Sequence, residues 1–150
     1  MIIDQLSKYL ALFRFSPGES LPLIPDIFHL TLVMNTGIAF GFFHKNPEIL
    51  LVLISLSIVF LFFYAPRLAE QGWGARMAMG LILGGAVGNW IDRLRVHAVI
   101  DFLDFRVWPV FNLADTAISV GVGLYLFKII FDKSGASPKG PACGGNGNSL

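Results

Sequence analysis

The sequence has few charged residues, one cysteine and almost no net charge. Charged residues make up 14% of the 150 residues and hydrophobic residues 55%, with a mean hydropathy of +0.68. A soluble chain of this size exposes too much surface to hide so many apolar side chains, which excludes a water-soluble domain. The single cysteine, Cys143, excludes an internal disulfide framework and a cysteine-based zinc site. A net charge of +1 gives no basic footprint for nucleic acid.

The chain also lacks the features of a secretory leader, since it has no basic n-region and no A-x-A cleavage site. We therefore expect it to stay in the membrane. Three apolar runs predict helices that cross a bilayer: Ile49 to Ala65, which Pro66-Arg67 should end, Met77 to Ile91, and Phe111 to Phe131.

The remaining segments have other compositions. Met1 to Ile3, before Asp4, reads as the last turn of a hydrophobic helix whose body is missing. The prolines and β-branched residues that follow predict short strands and turns on the membrane surface. Residues 135–150, rich in Gly, Asn, Pro and Ser, are expected to form a disordered tail after a membrane domain over residues 1–134.

Three glycines recur every four residues in the second apolar run. Gly80, Gly84 and Gly88 are expected to form one smooth helix face against which another helix packs closely. Such packing would leave no fluid lipid around the polar residues at the end of this helix.

Two N-x-x-D motifs place an amide and a carboxylate on the same helix face. Asn89 and Asp92 end the second run, and Asn112 and Asp115 begin the third. The connection between these runs is short, so both motifs should lie at one membrane face, together with Asp101 and Asp104, which the connection contains.

Simpler interpretations exist for several of these residues. Asp92 next to Arg93 fits a charged helix end with an ion pair between these two residues, and Asp104 fits an exposed interfacial charge. The two asparagines fit ordinary helix-end amides.

Asp101 lies between Ile100 and Phe102, and Asp115 lies inside an apolar helix. An ionisable group in such a place is costly and usually functional. Two such carboxylates should share one proton, as in an aspartic protease.

Five motifs along residues 1–131 resemble lipoprotein signal peptidase, or signal peptidase II. They are DQLSK (4–8), NTGIAF (35–40), GGAVGNWIDR (84–93), VIDF (99–102) and FNLAD (111–115). The resemblance implies an all-α polytopic membrane protein, a bundle of four transmembrane helices with a small periplasmic β-cradle at about residues 19–43. It further implies that the first helix is truncated here, so an apolar stretch is expected upstream of Met1.

The same resemblance implies an aspartic endopeptidase of the bacterial inner membrane, with its active site near the periplasmic face. It would cut signal peptides from prolipoproteins just before a diacylglyceryl-modified cysteine, and globomycin-type peptides would inhibit it. Asp101 and Asp115 match the catalytic dyad. The residues that match the substrate-binding or supporting positions are Asp4, Lys8, Asn35, Gly37, Asn89, Asp92, Arg93 and Asn112.

No cofactor and no metal are expected, and the partners are lipid-modified prolipoproteins and membrane lipids, with the protein itself a monomer. A second class of function stays open. The acidic residues alone would also fit a non-catalytic membrane protein of the same fold, which binds substrate or conducts protons.

Overall fold

The computed structural model describes residues 1–37 and 47–132. In this part of the chain, four helices and three strands follow one another as α1 (Ile2–Arg14), β1 (Ser20–Ile24), β2 (Phe28–Asn35), α2 (Pro47–Ala69), α3 (Trp73–Val96), β3 (Val99–Asp104) and α4 (Leu113–Asp132). The expected disordered tail lies outside the described residues.

The three strands form one antiparallel sheet in the order β1-β2-β3. β1 and β2 lie within the segment expected to form a β-cradle, whose residues 38–43 are outside the described part. β3 lies in the connection between the second and third apolar runs, where no strand was predicted. In its register Val33 faces Asp101 and Asn35 faces Val99, so β2 and β3 bring distant polar residues side by side.

The apolar core beneath the sheet joins it to α1. Ala11 of α1, Leu32 of β2, and Ile100 and Phe102 of β3 form one buried cluster. The expectation that a helix ends near Asp4 is wrong, because α1 continues to Arg14. Apolar residues at helical spacing past Asp4, such as Ala11, pack against the sheet and so keep the chain helical.

The remaining helices pack on one another, α2 on α3 and α3 on α4. The indole Nε1 of Trp90 donates to Ser55 Oγ at 2.8 Å and joins α3 to α2. Pro66 does not end α2 as expected, since it lies inside the helix, which continues for three residues.

Two of the described helices are long and apolar enough to cross a membrane, over Glu48–Leu68 and Leu113–Phe131. Only 6% and 11% of the residues in their most apolar windows are buried, so these helices present apolar surface outward. Water would disfavour such a surface, whereas lipid accommodates it. The two outward apolar helices therefore indicate a membrane protein, which also carries a small antiparallel sheet.

The glycine face differs from the one predicted. A methyl group at Gly80 would meet no atom within 4 Å, and at Gly84 the nearest atom would be 3.8 Å away. At Gly85, however, it would lie 2.5 Å from the carbonyl oxygen of Ala114. At Gly88 it would lie 2.6 Å from Asp4 Oδ2, so the close approach involves Gly85 and Gly88.

Candidate active site

Asp101 lies in β3 with a side chain that is 2% exposed. Its Oδ2 accepts a hydrogen bond from Asn35 Nδ2 at 3.0 Å, and its Oδ1 accepts one from Asn112 Nδ2 at 2.7 Å. The two donors come from β2 and from the residue before α4. Pairing of β2 with β3 therefore supplies one donor, and the start of α4 supplies the other.

Asp115 lies in the first turn of α4 and is half-buried. Its Oδ1 accepts from Asn89 Nδ2 of α3 at 2.7 Å. Asn112 caps α4, because its Oδ1 accepts from the backbone N–H of Asp115 at 2.9 Å. In the reverse direction, the backbone N–H of Asn112 donates to Asp115 Oδ2 at 3.3 Å. The second N-x-x-D motif therefore forms a capping box at the start of α4. Asn112 precedes the helix and Asp115 lies in its first turn, so the two are not a pair on the face of one helix.

Both carboxylates line one cavity of about 600 Å³. Its wall also includes an apolar segment over residues 107–111 and four predicted site residues, which are Asn35, Gly37, Asn89 and Arg93. The cavity therefore has a polar side, which carries the two aspartates, and an apolar side from the loop before α4. No sequence motif predicted a role for the apolar segment.

Burial raises the pKa of Asp101 to about 6. The hydrogen bonds from Asn35 and Asn112 act in the opposite direction, while the negative charge of Asp115 raises the pKa further. Asp101 therefore holds a proton far more readily than an exposed aspartate. The protonated form of such a carboxyl group can donate a proton to a reacting oxygen.

A buried cluster of charged side chains, formed by Asp4, Lys8 and Asp92, contacts Asn89 on the side away from Asp115. Lys8 of α1, 1% exposed, places Nζ 2.7 Å from Asp92 Oδ2 and 3.1 Å from Asp4 Oδ2. Its third contact is with Asn89 Oδ1, at 2.8 Å. The interpretation of Asp92 as an ion pair with its neighbour Arg93 is wrong, since the partner of Asp92 is Lys8. Asn89 and Asp92 do share one face of α3, as predicted.

Donors from Ala114 and Gln5 also bind the carboxylates of this cluster, and neither contact was predicted. Asp4 Oδ1 accepts from the backbone N–H of Ala114 at 2.8 Å, in the first turn of α4, where a negative charge is favourable. Gln5 Nε2 donates to Asp92 Oδ1 at 2.9 Å and to the carbonyl oxygen of Gly88 at 3.0 Å. Gln5 belongs to the DQLSK motif at residues 4–8, but its uncharged side chain alone did not predict a contact with Asp92.

Asp104 is not the exposed interfacial charge that was expected, because it is 4% exposed. Burial acts to raise its pKa, but hydrogen bonds from Thr31 and Arg106 prevail and lower the pKa. Thr31 Oγ1 donates to Asp104 Oδ2 at 2.8 Å, and the backbone N–H of Arg106 donates to Oδ1 at the same distance. Asp104 therefore ties β2 to the turn after β3.

Helices with outward apolar surfaces and two carboxylates in one cavity define a membrane protein with an acidic site. A solved bacterial membrane enzyme has the same fold, with a TM-score of 0.82 and 27% identity, covering 93% of this chain and 88% of that one. A second solved bacterial membrane enzyme matches with a TM-score of 0.77 and 27% identity, over 87% of each chain.

The family described as signal peptidase (SPase) II matches residues 1–131. The lipoprotein signal peptidase of Moorella thermoacetica is 45% identical, over 87% of this chain and 87% of its own. That of Halothermothrix orenii is 42% identical, over 84% of this chain and 86% of its own. The chain belongs to the signal peptidase II family.

Proposed function

We propose that the chain is an aspartic endopeptidase that removes signal peptides from prolipoproteins. It would cut just before a cysteine that carries a diacylglyceryl group. The observation that carries the proposal is the placement of Asp101 and Asp115, from a strand and a helix, on one cavity. Both carboxylates accept side-chain hydrogen bonds from asparagines, which leaves them held in place beside open space.

The chemistry follows from the proton that Asp101 holds. Ionised Asp115 takes a proton from a water molecule as the water oxygen attacks the scissile carbonyl carbon. Asp101 donates its proton to the carbonyl oxygen, which gives a neutral tetrahedral diol. The C–N bond then breaks, as Asp115 returns its proton to the leaving amine and Asp101 recovers one from the diol hydroxyl. Atoms and protons balance, and both carboxyl groups end in their starting states.

The other predicted site residues would support this dyad. Asn35, Asn89 and Asn112 orient the carboxylates through their amides. Gly37 and Arg93 line the cavity, where Arg93 offers a positively charged donor to a substrate carbonyl oxygen. The buried cluster behind the cavity, Asp4, Lys8 and Asp92, holds α1 against α3 and α4.

The acyl chains of the bound substrate would extend from the dyad along the surface of α4. An apolar groove of about 470 Å³ shares Asp115, Trp108 and Phe111 with the dyad cavity and continues past Thr116 and Val120. Each methylene buried there contributes about 0.8 kcal/mol. A lipid on the cysteine would thus add binding energy next to the scissile bond.

The proposal includes an arrangement in the bacterial inner membrane. α3 would cross the bilayer between α2 and α4, with the sheet and the dyad near the periplasmic face. The enzyme would act as a monomer among membrane lipids, and globomycin-type peptides would inhibit it by occupying the dyad. The non-catalytic alternative is not favoured, because the similar proteins are named as peptidases.

The test is cleavage by the purified protein in liposomes, with one prolipoprotein prepared with and without its diacylglyceryl group. We expect cleavage before the modified cysteine and a kcat/KM at least about tenfold lower without the lipid. Asp115→Asn is the catalytically dead control. Equal kcat/KM for the two substrates would refute lipid recognition, and absence of cleavage by the folded protein would refute the peptidase itself.

A further inference from the structure

Three asparagines present their amide nitrogens to the two aspartates. Rotation of an asparagine amide by half a turn exchanges its two donor hydrogens for an acceptor oxygen. An amide turned the wrong way would place a carbonyl oxygen against a carboxylate and repel it. Each of these amides therefore needs a contact that fixes its orientation.

The backbone fixes two of the three amides. Asn35 Oδ1 accepts from the backbone N–H of Gly37 at 3.2 Å, and Asn112 Oδ1 accepts from that of Asp115 at 2.9 Å. A backbone N–H only donates, so each oxygen must face it. The amide nitrogen then faces Asp101, at 3.0 Å from Asn35 and at 2.7 Å from Asn112.

A side chain fixes the third amide. Asn89 Oδ1 accepts from Lys8 Nζ at 2.8 Å and from Asn112 Nδ2 at 3.1 Å. A lysine ammonium, like a backbone N–H, only donates. With its oxygen held by two donors, Asn89 must direct its nitrogen toward Asp115 Oδ1, at 2.7 Å.

Lys8 is itself held in one position. Its three ammonium hydrogens have three acceptors, Asp4, Asp92 and Asn89, at 3.1, 2.7 and 2.8 Å, and the side chain is 1% exposed. The two carboxylates pair with the ammonium group and leave one donor aimed at Asn89. A neutral polar residue at position 8 would accept as well as donate and would not enforce this direction.

We infer that Lys8 is a positioning residue that sets the amide orientation of Asn89 and thereby the donor that Asp115 receives. The inference rests on the proposed function, since it assigns a role relative to the catalytic dyad. The inferred role differs from holding helices together. The ion pairs of Lys8 with Asp4 and Asp92 join the helices, whereas its hydrogen bond to Asn89 sets the orientation of an amide. Asn89 is also the amide of the three whose oxygen is held by side chains and not by a backbone N–H, so replacement of Lys8 weakens its orientation and leaves Asn112 Nδ2 as the remaining donor.

The test uses Lys8→Met combined with Asp92→Asn. Wild type and this double variant have the same net charge in the cluster, so long-range electrostatic effects on the dyad are matched. Asp92→Asn alone is the control, since it removes the ion pair but keeps the ammonium group next to Asn89. We expect the double variant to lose about tenfold in kcat relative to wild type, with which it is charge-matched, and KM to stay within about twofold, because a hydrogen bond to a charged group is lost. Asp92→Asn alone should lose less, since Lys8 still donates to Asn89.

A double-mutant cycle with Asn89→Ala separates positioning from packing. If Lys8 acts through Asn89, removal of the ammonium group in the Asn89→Ala background should change kcat by less than about twofold. The same tenfold loss in both backgrounds would overturn the inference. If the first double variant does not fold, Lys8→Met with Asp4→Asn is also charge-matched, with Asp4→Asn as its control.

A measurement without substrate keeps this inference separate from the proposed function. NMR of the protein labelled with ¹⁵N-asparagine should show a shifted Asn89 side-chain amide signal when Lys8 is replaced, and a retained signal in Asp92→Asn. An unchanged Asn89 signal in the double variant would overturn the inference. A changed signal in a protein that cleaves no prolipoprotein would support the positioning role and refute only the peptidase.

Discussion

Asn112 and Asp115 hold each other at the start of α4 by two reciprocal hydrogen bonds, 2.9 and 3.3 Å long. This capping box satisfies backbone donors that a helix N-terminus leaves free. At the same time it leaves Asn112 Nδ2 to reach Asp101 at 2.7 Å and Asp115 Oδ1 to accept from Asn89. The cap of one helix therefore connects the two carboxylates that we assign to the dyad.

Replacement of either aspartate by asparagine should abolish cleavage. Asp101→Asn and Asp115→Asn keep the side-chain shape but cannot exchange protons, so each should lower kcat at least about a hundredfold. The double variant should be no worse than either single variant, because the two residues act as one unit. The measurement is cleavage of a lipid-modified prolipoprotein in liposomes, with folding checked by circular dichroism.

Asp26→Asn is the matched control for this pair. Asp26 is exposed in the turn between β1 and β2 with a φ of 61°, a conformation that asparagine tolerates. This variant should cleave at the wild-type rate. A folded Asp101→Asn or Asp115→Asn protein with more than about a tenth of the wild-type rate would remove that residue from the dyad.

Loss of Asn35 should change the pH dependence of cleavage. Proton loss from Asp101, whose pKa burial raises to about 6, should produce the alkaline limb of kcat/KM. The Asn35 amide stabilises the ionised carboxylate and so lowers this pKa. In Asn35→Ala the pKa should rise, and the alkaline limb should move to higher pH by about half to one unit.

Thr31→Val is the control for this pH profile, since Thr31 donates to Asp104 and not to Asp101. It should leave the alkaline limb in place. If Asn35→Ala instead moves an acid limb to higher pH, the carboxylate of Asp101, and not the protonated acid, is the form required for activity, and Asp101 is not the proton donor.

Some contacts of the candidate site could be predicted from the local sequence, and others could not. The spacing of Asn89 and Asp92 predicts a shared helix face, and Lys8 Nζ does contact both. The burial of Asp101 between apolar neighbours is also readable locally. Asp104 has the same kind of neighbours, yet its partner Thr31 comes from β2, and only the register of the sheet brings them together. Contacts between distant segments leave no periodic signal in the chain.

Asp104 should contribute to stability and not to chemistry. Its buried carboxylate accepts from Thr31 at 2.8 Å and from the backbone and guanidinium of Arg106 at 2.8 and 3.1 Å. In Asp104→Asn one acceptor oxygen becomes a donor that faces other donors, at a cost of about 1–2 kcal/mol. We expect a lower Tm in detergent, with kcat/KM within about threefold of wild type at temperatures where the variant is folded. An unchanged Tm, or a loss of activity as large as that of Asp101→Asn, would contradict this assignment.

Gly85→Ala and Gly80→Ala should differ sharply, although both glycines lie on α3. A methyl group at Gly85 would lie 2.5 Å from the carbonyl oxygen of Ala114 and 2.7 Å from Ile118 Cγ1, both in α4. The carbonyl oxygen belongs to a helix backbone, so α4 must move away and carry Asp115 with it. Overpacking of this kind costs about 1–3 kcal/mol, and displacement of a catalytic group by about 1 Å can lower a rate about a hundredfold.

At Gly80 the methyl group would meet no atom within 4 Å, and alanine favours the helix by about 1 kcal/mol. Gly80→Ala should therefore match wild type in folded yield and cleavage rate, whereas Gly85→Ala should lower both, the rate by at least about tenfold. The measurements are monodisperse yield after purification and kcat/KM on the lipid-modified substrate. Equal behaviour of the two variants would mean that α3 and α4 do not need their closest approach at Gly85 to hold Asp115 in place.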